Sequence, residues 1–115
     1  MIVNNIIEKK ILNRVLGLNL LLMKYTQSTL DKLEAIPEEA GYELRYERGT
    51  FQSGYCILEQ KKVVVLNKFL QTEGRINTLI DLIPQLEINP ELLTEGSKKL
   101  FSEIISKLEQ EENGK

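Results

Sequence analysis

The stretch Tyr42 to Arg75, YELRYERGTFQSGYCILEQKKVVVLNKFLQTEGR, decides the fold of this chain. Its opening residues alternate. Tyr42, Leu44 and Tyr46 fall on one side and Glu43, Arg45 and Glu47 on the other, the period-two pattern of a half-buried strand. Gly49 to Gly54 is a loop that holds Phe51. Tyr55 to Glu59 reads as a second strand, Gln60-Lys61 as a tight reversal and Lys62 to Asn67 as a third strand. Val63-Val64-Val65-Leu66 is apolar at every position, which places that strand in the middle of a sheet or under helices. The reversal has no Asn-Gly or Asp-Gly pair, so its register rests on the strand patterns alone.

Helical patterns flank this stretch. On the N-terminal side, a hydroxyl at Thr26 or Ser28 can accept from the free N–H groups of a first turn, and Leu30, Leu33, Ile36 and Ala40 form the buried stripe. Pro37 lacks an N–H and crowds the preceding turn, so the helix is expected to end or kink after Ala35. Gly41 suits a left-handed terminator. On the other side, Thr72 is the expected cap of a helix with Ile76, Leu79, Ile80, Ile83 and Leu86 at helical spacing, shortened or bent by Pro84. Asn89-Pro90-Glu91 has the marks of another helix start: an acceptor at the cap, proline in the first turn and an acid against the dipole. Its stripe is Leu92, Leu93, Leu100, Phe101, Ile104, Ile105 and Leu108, with a break expected near Gly96-Ser97. Residues 109–115 read as a polar tail.

Ahead of these elements, Ile2, Val3, Ile6, Ile7, Ile11, Leu12, Val15 and Leu16 recur at helical spacing opposite Asn4, Asn5, Glu8, Lys9, Asn13 and Arg14. Residues 1–22 are therefore expected to form an amphipathic helix. Three readings of it stand side by side: a packing or dimerisation helix, a peripheral membrane contact through residues 2–24, or an extension ahead of a true start at Met23. The expected organisation is this helix, a single α+β domain over 23–108, and the tail. The fold class is α+β: a short antiparallel sheet of about three strands with helices packed on one face, and the additional N-terminal helix.

Composition narrows the function. The 115 residues carry a net charge of -2, which argues against a strongly basic nucleic-acid binder. One cysteine cannot close an internal disulfide and fits a reducing, cytoplasmic setting. Histidine is absent, which removes the commonest metal ligand and the usual general base. No metal and no cofactor is expected.

Four sets of residues could still carry chemistry. Cys56 could be a nucleophile if a cation such as Arg45, Arg48 or Lys62 lay beside it; otherwise it is a small apolar strand residue. Glu47, Arg48, Glu73 and Arg75 could form an acid–base cluster if the strand ends and the following helix meet. Asn67 could satisfy backbone groups in the turn ahead of that helix, or grip an extended ligand at a sheet edge. Arg45, Arg48, Lys61, Lys62, Lys68 and Arg75, with Tyr46, Phe51, Tyr55 and Phe69 among them, combine cations and rings as single-strand binders do.

RYERGTFQSGYCILEQKKVVVLNKFLQTEGRINTLIDLI resembles a family of small uncharacterised bacterial proteins. The shared pattern is an Arg-Tyr-Glu-x-Gly strand end, a Gly-x-Cys strand, a Lys-Val-x-Val-x-Asn-Lys strand and a helix opened by Glu-Gly-Arg-Ile. The resemblance covers about Met23 to Leu86 and implies a small cytoplasmic domain that begins near Met23, with no assigned activity. The order of elements is also similar to the opening of ImmA/IrrE-type metallopeptidases. Their His-Glu-x-x-His motif would fall near Asp81, Leu82 and Gln85, where every zinc ligand and the glutamate are missing.

The sequence thus favours a non-enzymatic interaction or structural module that binds an unknown protein partner or itself. A thiol-using or acid–base enzyme centred on Cys56, Glu47 and Arg75, and single-stranded nucleic-acid binding on the sheet, are the alternatives.

Overall fold

A computed structural model of the chain describes residues 24–49 and 54–113. The expected helix over 1–22 and the loop residue Phe51 lie outside the described residues.

The first described helix, α1, spans Gln27–Glu39. The Thr26 hydroxyl caps it by accepting from Thr29 N at 3.2 Å. Contrary to the sequence expectation, the helix continues through Pro37. Proline there removes one helical hydrogen bond and crowds the carbonyl of Leu33. Two features offset that cost: the Pro37 ring is fully buried, and its carbonyl accepts from Tyr42 N at 2.9 Å. With Gly41 N donating to Glu38 O at 3.1 Å and Gly41 at φ +97°, the end is a Schellman motif. Gly41 supplies the left-handed residue this closure requires. Tyr42 and Pro37, both buried, are the apolar pair that accompanies it.

The chain leaves this cap directly into β1, Glu43–Glu47. Two more strands follow, β2 at Tyr55–Leu58 and β3 at Val63–Asn67. The sheet order is β1-β3-β2. β2 and β3 are antiparallel, with Tyr55 opposite Leu66 and Leu58 opposite Val63. β1 and β3 are parallel, with Glu43 opposite Val63 and Glu47 opposite Asn67. The sheet is therefore mixed, which corrects the expectation of an antiparallel sheet. β2 lies on the far side of β3 from β1, and the hairpin sets β3 between its neighbours. Val63 to Leu66 are all buried, as a central strand demands. The hairpin turns through a 3-10 segment, Glu59–Lys61, with Lys62 left-handed at φ +51°, so both strands are one residue shorter than the sequence reading.

Helix α2, Thr72–Leu82, follows, and its cap position is Gln71 rather than Thr72. The backbone of Gln71 accepts from Arg75 N at 2.8 Å. A 3-10 turn with Pro84 at its centre, Ile83–Gln85, ends the helix. Asn89 accepts from Glu91 N at 3.1 Å, but this starts only a 3-10 turn, Pro90–Leu92. The long helix α3, Glu95–Asn113, begins after Thr94. The break thus falls ahead of Gly96-Ser97, because Leu93 turns into the core while Leu92 stays exposed. α3 runs through Asn113, into the segment read as a polar tail.

All three helices contribute to one core. Leu30, Leu33 and Ile36 of α1, Ile76, Leu79 and Leu82 of α2, and Ile104 of α3 meet Val64 and Leu66 of β3. Leu44, Tyr46, Tyr55 and Ile57 pack against the same cluster, so this is one face of the sheet. The architecture is α+β, with a three-stranded mixed sheet and helices on that face.

Candidate functional site at the end and edge of the sheet

Because β1 and β3 are parallel, their C-terminal ends lie together, and α2 starts beside them. Arg75, in the first turn of α2, donates from Nε to Leu70 O at 2.9 Å and from Nη2 to Lys68 O at 3.2 Å. Its guanidinium lies 4.2 Å from the centroid of the Tyr46 ring, within cation–π range. On the ring's far end the Tyr46 hydroxyl donates to the Glu34 carboxylate of α1. Burial, and then the hydrogen bond and negative charge of Glu34, push the Tyr46 phenol well above the ordinary tyrosine range, with Arg75 opposing. The Glu34–Tyr46–Arg75 series ties α1, β1 and the 68–70 turn to one another.

Asn67 ends β3. Its side-chain amide donates to Gly49 O at 3.3 Å, and its carbonyl oxygen accepts from Phe69 N at 3.0 Å. It therefore ties Gly49 to the turn before α2, the backbone-satisfying role its sequence position suggested. Phe69 is 68% exposed and stands 5.8 Å from the Arg48 guanidinium. Lys68 N donates to Glu47 O at 2.8 Å, while the Glu47 side chain faces outward on an exposed position. Glu73 is exposed as well. The strand ends and the start of α2 do meet as imagined. Arg75, however, is directed to backbone carbonyls and a ring, and Glu47 takes part in none of its hydrogen bonds.

Cys56 is on the sheet face away from the described helices, partly exposed. It is opposite Val65, and one strand further along the same row is Arg45. That guanidinium is already held by Glu43, Nε to Oε1 at 2.8 Å; this hydrogen bond and the Glu43 charge raise its pKa further. Tyr55 faces the core side, and its hydroxyl accepts from the Gln85 amide. Leu82 is fully buried, Asp81 is exposed, and Gln85 also donates to Asp81 O at 3.1 Å. Among the described residues, no group of three or more Cys, Asp or Glu could hold a metal ion, and no helix is long and apolar enough to cross a membrane.

Three pairings escaped sequence reasoning. Besides Tyr46 with Glu34, the Tyr42 hydroxyl accepts from Glu87 N at 2.9 Å. Glu39, at the end of α1, accepts from Thr94 N at 2.8 Å and from the Ser97 hydroxyl at 3.0 Å, where a carboxylate complements the positive end of α3. Beside this cap the two helices leave a groove of about 540 Å³ whose lining includes Ala35 and Gly96. No signal in the chain could have paired residues so far apart.

Among the described residues, the two outer strands of the sheet differ. β1 shows Glu43, Arg45 and Glu47 outward, whereas β2, Tyr55-Cys56-Ile57-Leu58, has no charged residue. Leu58 is 46% exposed, and an open recess of about 470 Å³ adjoins Ile57, Leu58 and the 59–61 turn. Val63 and Val65, beside Leu58 and Cys56 on the same face, are 3% and 5% exposed yet stand apart from the main core.

No family model, no curated protein and no solved structure matches this chain.

Proposed function

We propose that this chain is a small, cytoplasmic, non-enzymatic interaction module that binds a protein surface through the β2 edge of its sheet. The supporting observation is the contrast between the charged β1 edge and the uncharged, partly exposed β2 edge. A strand edge presents unpaired N–H and C=O groups, and charge is the usual guard against unwanted pairing. An unguarded edge with an exposed leucine suits recognition by strand addition, in which main-chain hydrogen bonds hold the partner and alternate side chains select it. The lone cysteine supports the cytoplasmic setting. The pattern shared with small bacterial proteins and the likeness to the opening of ImmA/IrrE-type peptidases add a scaffold without zinc chemistry.

Purification of the tagged protein from its native cell, beside a Leu58→Lys variant, tests this reading. A partner chain, or a second copy of this chain, retained by the first and lost by the second supports it; a protein complement and an oligomeric mass identical in both overturn it. A second reading, single-stranded nucleic-acid binding, is favoured by the exposed Phe69 beside Arg48. It predicts retention on a nucleic-acid column that falls steeply with salt, because phosphate contacts release counterions. The thiol-enzyme reading predicts rapid alkylation of Cys56 in the folded protein at neutral pH.

A further inference from the structure

We propose that the partner at the β2 edge is a second copy of this chain, paired antiparallel, β2 to β2, about a two-fold axis passing between the two Ile57 residues. This rests on the interaction-module reading and names its partner.

Symmetry limits how two copies of β2 can meet. A two-fold relating neighbouring antiparallel strands runs perpendicular to the sheet, so the helix-covered face of one copy continues into that of the other. Side chains alternate between faces, so only residues of the same face can sit opposite one another. Two registers then overlap most of β2. One sets Cys56 against the second copy's Cys56 and leaves each Leu58 opposite Gly54. The other sets Ile57 against Ile57 and each Leu58 against the second copy's Cys56. The second register covers the exposed leucine with an apolar neighbour. It also extends the rows Val63–Leu58 and Val65–Cys56 into one apolar band across a joined sheet of order β1-β3-β2-β2-β3-β1.

Charge selects this edge over the other. β2 meets a copy of itself without repulsion. β1 at full overlap would set Glu43 against Glu47 and Arg45 against Arg45, and like charges directly opposite destabilise a strand pair. Leu58 at the end of this edge is 46% exposed, and an open recess adjoins Ile57 and Leu58.

So short an overlap buries less than the ~1,000 Å² of a stable interface, so the dimer is weak and its population rises with concentration. Sedimentation velocity from about 10 μM to about 1 mM, a range that brackets weak association, should show the average mass of the full chain rising toward twice the monomer. Leu58→Lys should stay monomeric throughout with an unchanged melting temperature. Leu58→Cys should form a disulfide-linked dimer under mild oxidation, because directly opposed Cα atoms lie about 4.5–5.5 Å apart. The native chain, whose two Cys56 residues are offset along the strands, should not. A native chain that stays monomeric at the top of the range, or that crosslinks as readily as Leu58→Cys, overturns the proposal. If the native chain is monomeric but Leu58→Lys releases a different bound protein, the second-copy inference falls and the interaction reading stands. If it is monomeric and Leu58→Lys changes nothing bound, both fall.

Discussion

The outer strands β1 and β2 both lean on β3, yet different interactions hold them. β1 follows a Schellman cap at Gly41, aims Leu44 and Tyr46 into the core, and is bound at its far end by the Glu34–Tyr46–Arg75 series. β2 is held by a close backbone approach at Gly54, the Tyr55–Gln85 hydrogen bond and a left-handed turn at Lys62. The first strand is fastened by polar side chains and guarded by charge. The second is fastened by fit and left unguarded. The proposed pairing adds its neighbour at the second edge and leaves β1 as the last strand.

Removing the fastening of β1 should have the largest effect. Arg75→Ala deletes two hydrogen bonds to the carbonyls of Leu70 and Lys68 and the stacking on Tyr46. Each such bond is worth about 1 kcal/mol and the stacking about 0.5–1 kcal/mol, so a loss of about 2–3 kcal/mol is expected in urea unfolding. Arg75→Lys should recover less than half of it, because an ammonium cannot reach two carbonyls while lying flat on a ring. Full recovery by lysine would show that charge alone matters there.

The corresponding test of β2 is Gly54→Ala. Gly54 has φ +83°, and an added Cβ would lie 3.0 Å from Leu70 Cδ1 and 3.3 Å from Thr78 Oγ1. Backbone strain of about 1–2 kcal/mol adds to the displacement of a side chain, so about 2 kcal/mol is expected. Gly41→Ala isolates the strain, since Gly41 has φ +97° with open space around it; it should cost about 1 kcal/mol. Equal losses at the two sites would mean that close packing contributes nothing at Gly54.

What could be read in the sequence follows the range of the interactions. The alternation in 42–48, the all-apolar 63–66 run and the Gly41 terminator are local, and each appears in the structure as read; of the two cap candidates, Thr26 and Ser28, the structure uses Thr26. Strand direction was illegible because it depends on where the 48–54 loop delivers the chain, and no pattern within β1 distinguishes a parallel from an antiparallel neighbour. Pro37 misled because the rule against helical proline describes one lost hydrogen bond and one clash, while the burial and cap that outweigh them are tertiary. Asn89-Pro90-Glu91 started only a short turn, since the demand of Leu93 for the core and of Thr94 for Glu39 delayed the helix. For the candidate site, Asn67 and Arg75 were legible as residues at strand and helix ends. Their partners were not, and the uncharged edge gained meaning only once β2 proved to be outermost.

The smallest expected effect concerns the Tyr46 phenol. Its hydrogen bond to Glu34 is half-buried, so Tyr46→Phe should cost about 1 kcal/mol at neutral pH. The sharper readout is pH. The folded chain keeps the phenol protonated above its ordinary range, chiefly through burial and then through Glu34, whereas the unfolded chain loses that proton near pH ~10. Below that pH both states hold the proton, and the contribution is fully present. Above it the unfolded state binds fewer protons than the folded one, so stability falls as pH rises until the folded phenol itself ionises. Tyr46→Phe should therefore flatten the alkaline decline of the melting temperature relative to the native chain. An ultraviolet phenolate titration of the native chain should also show ionisation above the ordinary tyrosine range that Tyr46→Phe removes. Parallel alkaline curves for the two proteins would place Tyr46 in water and detach β1 from the α1 contact that sets it apart from β2.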